Sequence, residues 1–105
     1  MYVVVWEFKV KENRTQDFES VYGIDGAWVR LFNSAPGYVE TQLLRDARIK
    51  NRYLTVDYWL SEEQYDRFRQ ANSAEYDRID SRCAGLTEDE HFLGACHIVG
   101  REALS

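Results

Sequence analysis

Asp57 stands in the middle of an alternating run, Arg52-Tyr53-Leu54-Thr55-Val56-Asp57-Tyr58-Trp59-Leu60. Successive side chains of a strand point to opposite faces. One face then carries Tyr53, Thr55, Asp57 and Trp59, and the other Leu54, Val56, Tyr58 and Leu60. The first set mixes large aromatics with a carboxylate and a hydroxyl, which is how a pocket wall reads. A carboxyl group held among aromatics has its charged form disfavoured, which suits it to accept a proton from a phenol. The competing reading of Asp57 is an ion pair or cap, with Arg52 or Arg78 as partner. Trp59 either lines the pocket or fills the core at a strand end. Tyr65 and Tyr76 lie on apolar helix stripes, so their rings pack while their hydroxyls reach a pocket rim. Trp6 and Trp28 divide in the same way between core and pocket wall.

Arg78 and Arg82 are four apart on a helix and share a face. That face is either solvated or a clamp for a phenolate or carboxylate. His91 and His97 are six apart on one strand, roughly 20 Å at about 3.3 Å per residue, so they cannot share a metal ion. Cys83 and Cys96 lack metal-motif spacing and read as reduced core residues. No metal site and no cofactor is expected. Glu88-Asp89-Glu90 reads as a solvated helix start, where negative charge suits the helix dipole.

Composition sets the frame for these side chains. The 105 residues are expected to form a single domain, 1–105. Seven Tyr, five Phe and three Trp bring the aromatic content to 14%, suited to a core, an interface or a pocket for a flat ligand. A net charge of −5, with no run of Lys or Arg, argues against nucleic acid or an anionic membrane as partner. The apolar stretch Tyr2 to Trp6 is too short for a signal peptide or a membrane span, and a cytoplasmic location is expected.

The elements that position the candidates follow from periodicity and punctuation. Tyr2 to Val10 is a β-branched and aromatic strand, broken at Glu12-Asn13. Phe18, Val21 and Tyr22 give a helix over 14–22, stopped at Gly23. Trp28, Leu31, Phe32 and Ala35 form one stripe of a second helical piece, ended by Pro36-Gly37. Strands over 38–46 and 52–60 flank a hairpin loop, 47–51. Ser61 with Gln64 is a capping box opening a helix that bends at Asn72-Ser73 and continues past Tyr76, Ile79 and Cys83. Thr87 with Glu90 reads as another box, opening about one turn before a last strand, 92–99. The order β-α-β-β-α-β predicts a ferredoxin-like α+β fold, a four-stranded antiparallel sheet with helices on one face. The other face would present residues such as Val3, Val5, Val39, Leu43, Leu54, Val56 and Ile98, or their opposite-parity neighbours. A patch of that size predicts a homodimer through the sheet faces.

Several segments resemble the antibiotic biosynthesis monooxygenase family of the dimeric α+β barrel superfamily. They are Tyr22-Gly23-Ile24-Asp25-Gly26-Ala27-Trp28, Ala35-Pro36-Gly37-Tyr38, Thr41-Gln42-Leu43-Leu44-Arg45-Asp46, the strand around Asp57, Glu75-Tyr76 and 86–90. The resemblance runs from Val4 to Gly94. It implies a dimeric α+β barrel and two enzyme types. Haem-degrading members bind iron through a histidine on the last long helix, with a tryptophan on the preceding helix and an asparagine on strand one. Those positions fall here on no histidine between Leu60 and Glu90, near Phe68, and on Trp6, so haem lacks its axial ligand. The second type oxidises phenols to quinones with dioxygen and no cofactor. Its strand-end tryptophan and the tyrosine six residues later match Trp59 and Tyr65, its asparagine falls on Thr55, and Arg78 and Arg82 are the candidate arginines.

These readings make Asp57, Trp59 and Tyr65 the candidate catalytic residues. Trp6, Tyr53, Thr55, Phe68, Tyr76, Arg78 and Arg82 are the candidate substrate-binding residues. The expected function is a cofactor-independent monooxygenase for a small phenolic or polycyclic compound. A non-catalytic carrier of a hydrophobic metabolite is the alternative, and a subunit whose own aromatics fill the cavity is a third reading.

Overall fold

The computed structural model describes residues 1–100. Strand β1 spans Tyr2–Val10, followed by a short 3-10 turn at Glu12–Arg14 and helices α1 (Thr15–Tyr22) and α2 (Ala27–Phe32). Strands β2 (Tyr38–Arg45) and β3 (Arg52–Trp59) form a hairpin. Helices α3 (Glu62–Ala71) and α4 (Ser73–Cys83) lead into β4 (Thr87–His97). The sheet runs β2-β3-β1-β4, antiparallel throughout, so the ferredoxin-like arrangement is as the pattern predicts.

Local chemistry accounts for the boundaries. Ser61 Oγ accepts from the backbone N–H of Gln64, closing the capping box that opens α3. At Asn72 the backbone leaves helical geometry, with its amide nitrogen donating to the Phe68 carbonyl at 3.0 Å. Beyond this break α4 packs against α2 and α3. Gly37 sits at φ +91°, and a Cβ there would also strike the Gln64 side chain.

The last element differs from the expectation. Thr87 to Glu90 is not a helical turn but the first third of β4, paired with Val10, Lys9 and Phe8. Long-range pairing to β1 outweighs the local capping signal, and Asp89 lies opposite Lys9 as a favourable cross-strand pair. Cys83 is buried as expected, whereas Cys96 is exposed on the uncovered sheet face opposite Val3.

Tyr53, Thr55, Asp57 and Trp59 all face the helices and are buried, while Leu54, Val56 and Tyr58 are only half-buried on the other face. Val3 and Val5 share that outer face through their pairing with Tyr58 and Val56. From β2 it is Gln42 and Leu44 that join them; Leu43 pairs with Thr55 and packs against the helix-side core. The edge strand β4 leaves Phe92 55% and Leu93 52% exposed.

The core between sheet and helices is a continuous aromatic layer. Phe18 stacks on Tyr22 at 4.2 Å, and Phe8 tilts against both at 5.3 and 4.9 Å. Trp59 is fully buried among Phe32, Tyr38, Tyr65 and Phe68 at 5.1 to 5.7 Å. Each ring contributes roughly 1.5–3 kcal/mol of burial, and each such pair about 0.5–1.5 kcal/mol more.

Gly26 is the tightest junction of this layer, setting α2 directly against the end of α1. A Cβ there would sit 2.0 Å from the backbone oxygen of Val21. Gly26→Ala is expected to lower stability by about 1–3 kcal/mol in urea unfolding. Gly85→Ala, where a Cβ meets nothing within 4 Å, is the matched control and should change little.

Candidate active site

A cavity of ≈ 260 Å³ opens between the sheet and the helices. Val4, Trp6 and Phe8 of β1, with Thr41 of β2 and Thr55 and Asp57 of β3, form its floor. Trp28 and Phe32 close one wall from α2, beside Tyr22. Tyr65 and Arg69 of α3, then Tyr76, Asp77 and Asp80 of α4, continue the lining, Tyr76 meeting Trp28 edge-on at 4.8 Å, with Glu90 at the β4 edge.

Asp57 is 9% exposed and accepts a hydrogen bond from Thr41 Oγ1 at 2.6 Å through Oδ1. Thr41 Oγ1 also lies 2.8 Å from the Tyr38 hydroxyl. A threonine has one hydroxyl proton, and it is committed to the carboxylate, so Tyr38 must donate to Thr41. The chain of donors Tyr38, Thr41, Asp57 thus runs in one direction and pins a single carboxylate oxygen. Oδ2 has no protein partner among the described residues. Burial pushes the Asp57 carboxyl up to about 6, and the Thr41 hydrogen bond offsets only part of this.

Neither arginine weighed as an ion-pair partner reaches Asp57. Arg52 points to the other face of the sheet, bonded to Glu7 and, at 2.7 Å, to Asp46. Arg78 pairs with Glu75 at 2.6 Å on the surface. The cation in the cavity wall is Arg69. Its Nη1 donates to the Tyr65 hydroxyl at 3.2 Å, and its guanidinium lies 3.8 Å from the centre of the Tyr76 ring. The bend at Asn72 is what brings Tyr76 under Arg69. Burial pushes the Tyr76 hydroxyl up to about 12, although the Arg69 charge opposes it. Tyr76 therefore stays neutral and can donate a hydrogen bond at any physiological pH.

Of the residues singled out from the sequence, Asp57, Thr55, Tyr65, Tyr76 and Trp6 come together around this cavity. Trp59 and Phe68 do not line it; they pack behind its wall, with Trp59 wholly buried. The Trp59 indole Nε1 is buried without an acceptor among the described residues. Tyr53 faces the helices at the α1 end, where its hydroxyl bonds the Glu19 carboxylate. Arg78 and Arg82 lie exposed on α4, away from the cavity.

Thr41 and Arg69 were missed, and both left a signal. With a loop over 47–51, Asp46 falls opposite Arg52, and counting back puts Thr41 opposite Asp57, the pairing observed. Arg69 follows Tyr65 by four residues and so shares its helix face.

The antibiotic biosynthesis monooxygenase family profile matches residues 1–79. No curated protein matches the chain. Among solved structures it is similar to SnoaB of Streptomyces nogalater, a cofactor-independent oxygenase, at 20% identity and TM-score 0.70, over 95% of this chain and 97% of that one. A Bordetella bronchiseptica protein named for antibiotic biosynthesis monooxygenase is similar at 25% identity and TM-score 0.69, over 93% and 96% of the two chains. A mutant of MhuD with two manganese protoporphyrin IX groups bound per active site is similar at 19% identity and TM-score 0.73, over 97% and 98%. At such identities SnoaB and MhuD share the fold alone.

The buried carboxyl makes stability depend on pH with a definite sign. Its folded value, about 6, lies above the unfolded 3.8. Between those values the folded protein keeps a proton that the unfolded chain gives up, so stability falls as pH rises through the window. The loss is complete above it, roughly 2–3 kcal/mol for a shift of about two units. Asp57→Asn cannot titrate. Its stability relative to the unmodified protein, from urea unfolding, should therefore rise by that amount between pH 4 and pH 7.5. A difference that is flat with pH would mean that Asp57 is not desolvated.

Proposed function

Since the chain belongs to the antibiotic biosynthesis monooxygenase family, we propose that it is a cofactor-free oxygenase for a small phenolic or polycyclic aromatic compound. The observation that carries this reading is the half-engaged Asp57 carboxylate on the floor of an aromatic cavity. Oδ1 is held by Thr41, and Oδ2 is left for a ligand hydroxyl. A base with a value near 6 is populated as carboxylate at neutral pH and lies closer to a phenol's range than an ordinary aspartate.

In this mechanism the phenol lies flat among Trp6, Trp28 and Tyr76, with its hydroxyl against Asp57. Asp57 takes the proton, leaving an electron-rich phenolate in a water-poor site. Dioxygen accepts electrons from the ring and forms a carbon–oxygen bond. Departure of the other oxygen atom as water, carrying the hydrogen of the oxygenated ring carbon and the proton returned by Asp57, leaves the quinone and restores the carboxylate. Arg69 and Tyr65 are placed to stabilise the reduced oxygen as it forms. Trp59 supports the wall behind Tyr65 rather than touching substrate.

The carrier reading draws on Thr55. A hydroxyl stands where the resemblance to quinone-forming relatives expects an amide, and it cannot offer an amide's two donors. A haem reading finds no histidine, cysteine or methionine in the cavity lining. His97 packs against Tyr2, and His91 lies opposite Glu7 on the outer sheet face.

The same reading takes the protein as a cytoplasmic homodimer of one-domain subunits. The half-buried Val5, Leu54 and Val56 of the open face, with exposed Leu44 and Leu93, would pack against a second copy. No helix among the described residues is long and apolar enough to cross a membrane.

Dioxygen uptake by chelator-treated protein with dihydroxynaphthalenes tests the reaction. Uptake should match quinone formation one to one. Asp57→Asn should lower turnover by about 10²-fold or more while leaving affinity nearly unchanged. Binding without uptake would leave the carrier. Sedimentation at micromolar concentration should show a dimer burying more than about 2,000 Å², and Val56→Glu should dissociate or unfold it. A stable unmodified monomer would remove the dimer.

A further inference from the structure

Charge around the cavity mouth is lopsided. Asp57 lies on the floor, Asp77 and Asp80 project from α4, and Glu90 projects from β4. Glu90 pairs with Phe8 in the sheet register, which turns it to the helix side and toward α4. Arg69 is the single cation of the lining among the described residues. It is already engaged by Tyr65 and Tyr76, and among carboxylates its closest influence is Asp77.

That leaves Asp80 and Glu90, which both line the cavity, close enough for the Asp80 charge to act on Glu90. Neither forms a salt bridge among the described residues, nor does Asp57. Burial holds the Glu90 carboxyl above its ordinary value, and the Asp80 charge beside it adds to the effect. A group of like charges set this close costs energy that an entering cation would relieve. The walls add to this, because the faces of Trp28 and Tyr76 attract cations. Asp57 supplies an independent sign of a ligand: a side chain more than nine-tenths buried in the same cavity, with Oδ2 unpartnered.

We infer that the cavity selects an aromatic compound bearing an amine at the end remote from its hydroxyl, and discriminates against aromatic carboxylates. The inference rests on the reading of the cavity as a phenol site. The hydroxyl lies at Asp57, the ring occupies the aromatic middle, and the ammonium reaches the gap between Asp80 and Glu90. An acid in that position would meet two carboxylates of its own sign. Asp80 and Glu90 are specificity-determining rather than catalytic, since they stand at the mouth.

Three naphthols of matched shape, bearing an aminomethyl, a methyl or a carboxylate group opposite the hydroxyl, test this by calorimetry at pH 7.5 and low salt. The amine should bind about fivefold tighter than the methyl compound, and the acid about fivefold weaker, each step corresponding to about 1 kcal/mol. Both differences should shrink in 0.5 M salt, because exposed charges are screened. Asp80→Asn with Glu90→Gln should collapse the order. Glu63→Gln with Asp66→Asn, which removes the same charge from α3 outside the cavity, should keep it. Equal binding of all three, or tightest binding of the acid, overturns the charge selection while leaving the phenol site in place. Binding of none overturns the phenol site and this inference with it. The salt series needs no variant, so the test survives a variant that fails to fold.

Discussion

Removing one carboxylate from water without giving it a cation is the constraint on which the helix-side half of this molecule depends. Asp57 sits in the central part of β3, under helices and among rings, with Thr41 as its one hydrogen-bond partner among the described residues. A charge-assisted bond of that kind contributes about 1.5–3 kcal/mol, less than the desolvation of a carboxylate costs. The remainder must be met by the aromatic layer packed around it. The layer cannot relax toward Asp57 without opening the core, because Trp59, Phe32 and Phe68 lock one another in tilted and edge contacts. Rigidity of the wall and an unsatisfied carboxylate are two consequences of the same packing.

The donor chain from Tyr38 through Thr41 gives that carboxylate a direction. It depends on hairpin register, since a one-residue slip of β2 would turn Thr41 to the outer face. The loop at 46–51 guards the register: Asp46 Oδ1 accepts from the backbone amides of Arg48 and Ile49, both at 2.8 Å, and those bonds, with Arg52, hold its carboxyl down to about 2. Asn51, at φ 65°, completes the turn. The loop that joins β2 to β3 thus keeps Thr41 opposite Asp57.

Much of the fold was legible because its signals are local and agree with one another. The strict alternation of β3, the Ser61 capping box and the break at Asn72 each appear where the pattern puts them, whereas α2 ends at Phe32, before Ala35 and the Pro36-Gly37 stop. Thr87 to Glu90 was misread because a capping-box spacing is a local signal, whereas strand pairing with Lys9 and Phe8 is a long-range one. At the site, parity alone placed Asp57 and Thr55. Parity could not say how far along the strand the cavity extends, so Trp59 and Tyr53, on the correct face, lie outside it at either end. Arg78 and Arg82 drew notice as a pair, but beyond the bend at Asn72 both lie exposed on α4, and the cation in the cavity wall is Arg69 of α3. A helix bend of unknown angle is not readable from residue spacing.

The most direct measurement is a carbon-13 titration of the Asp57 carboxyl in the ligand-free protein, assigned by comparison with Asp57→Asn. A midpoint near 6, moving higher when Thr41→Val removes the one hydrogen bond that favours the charged form, is what this account requires. A midpoint at or below the ordinary aspartate value of 3.8 would place a cation or solvent at Asp57 and contradict it.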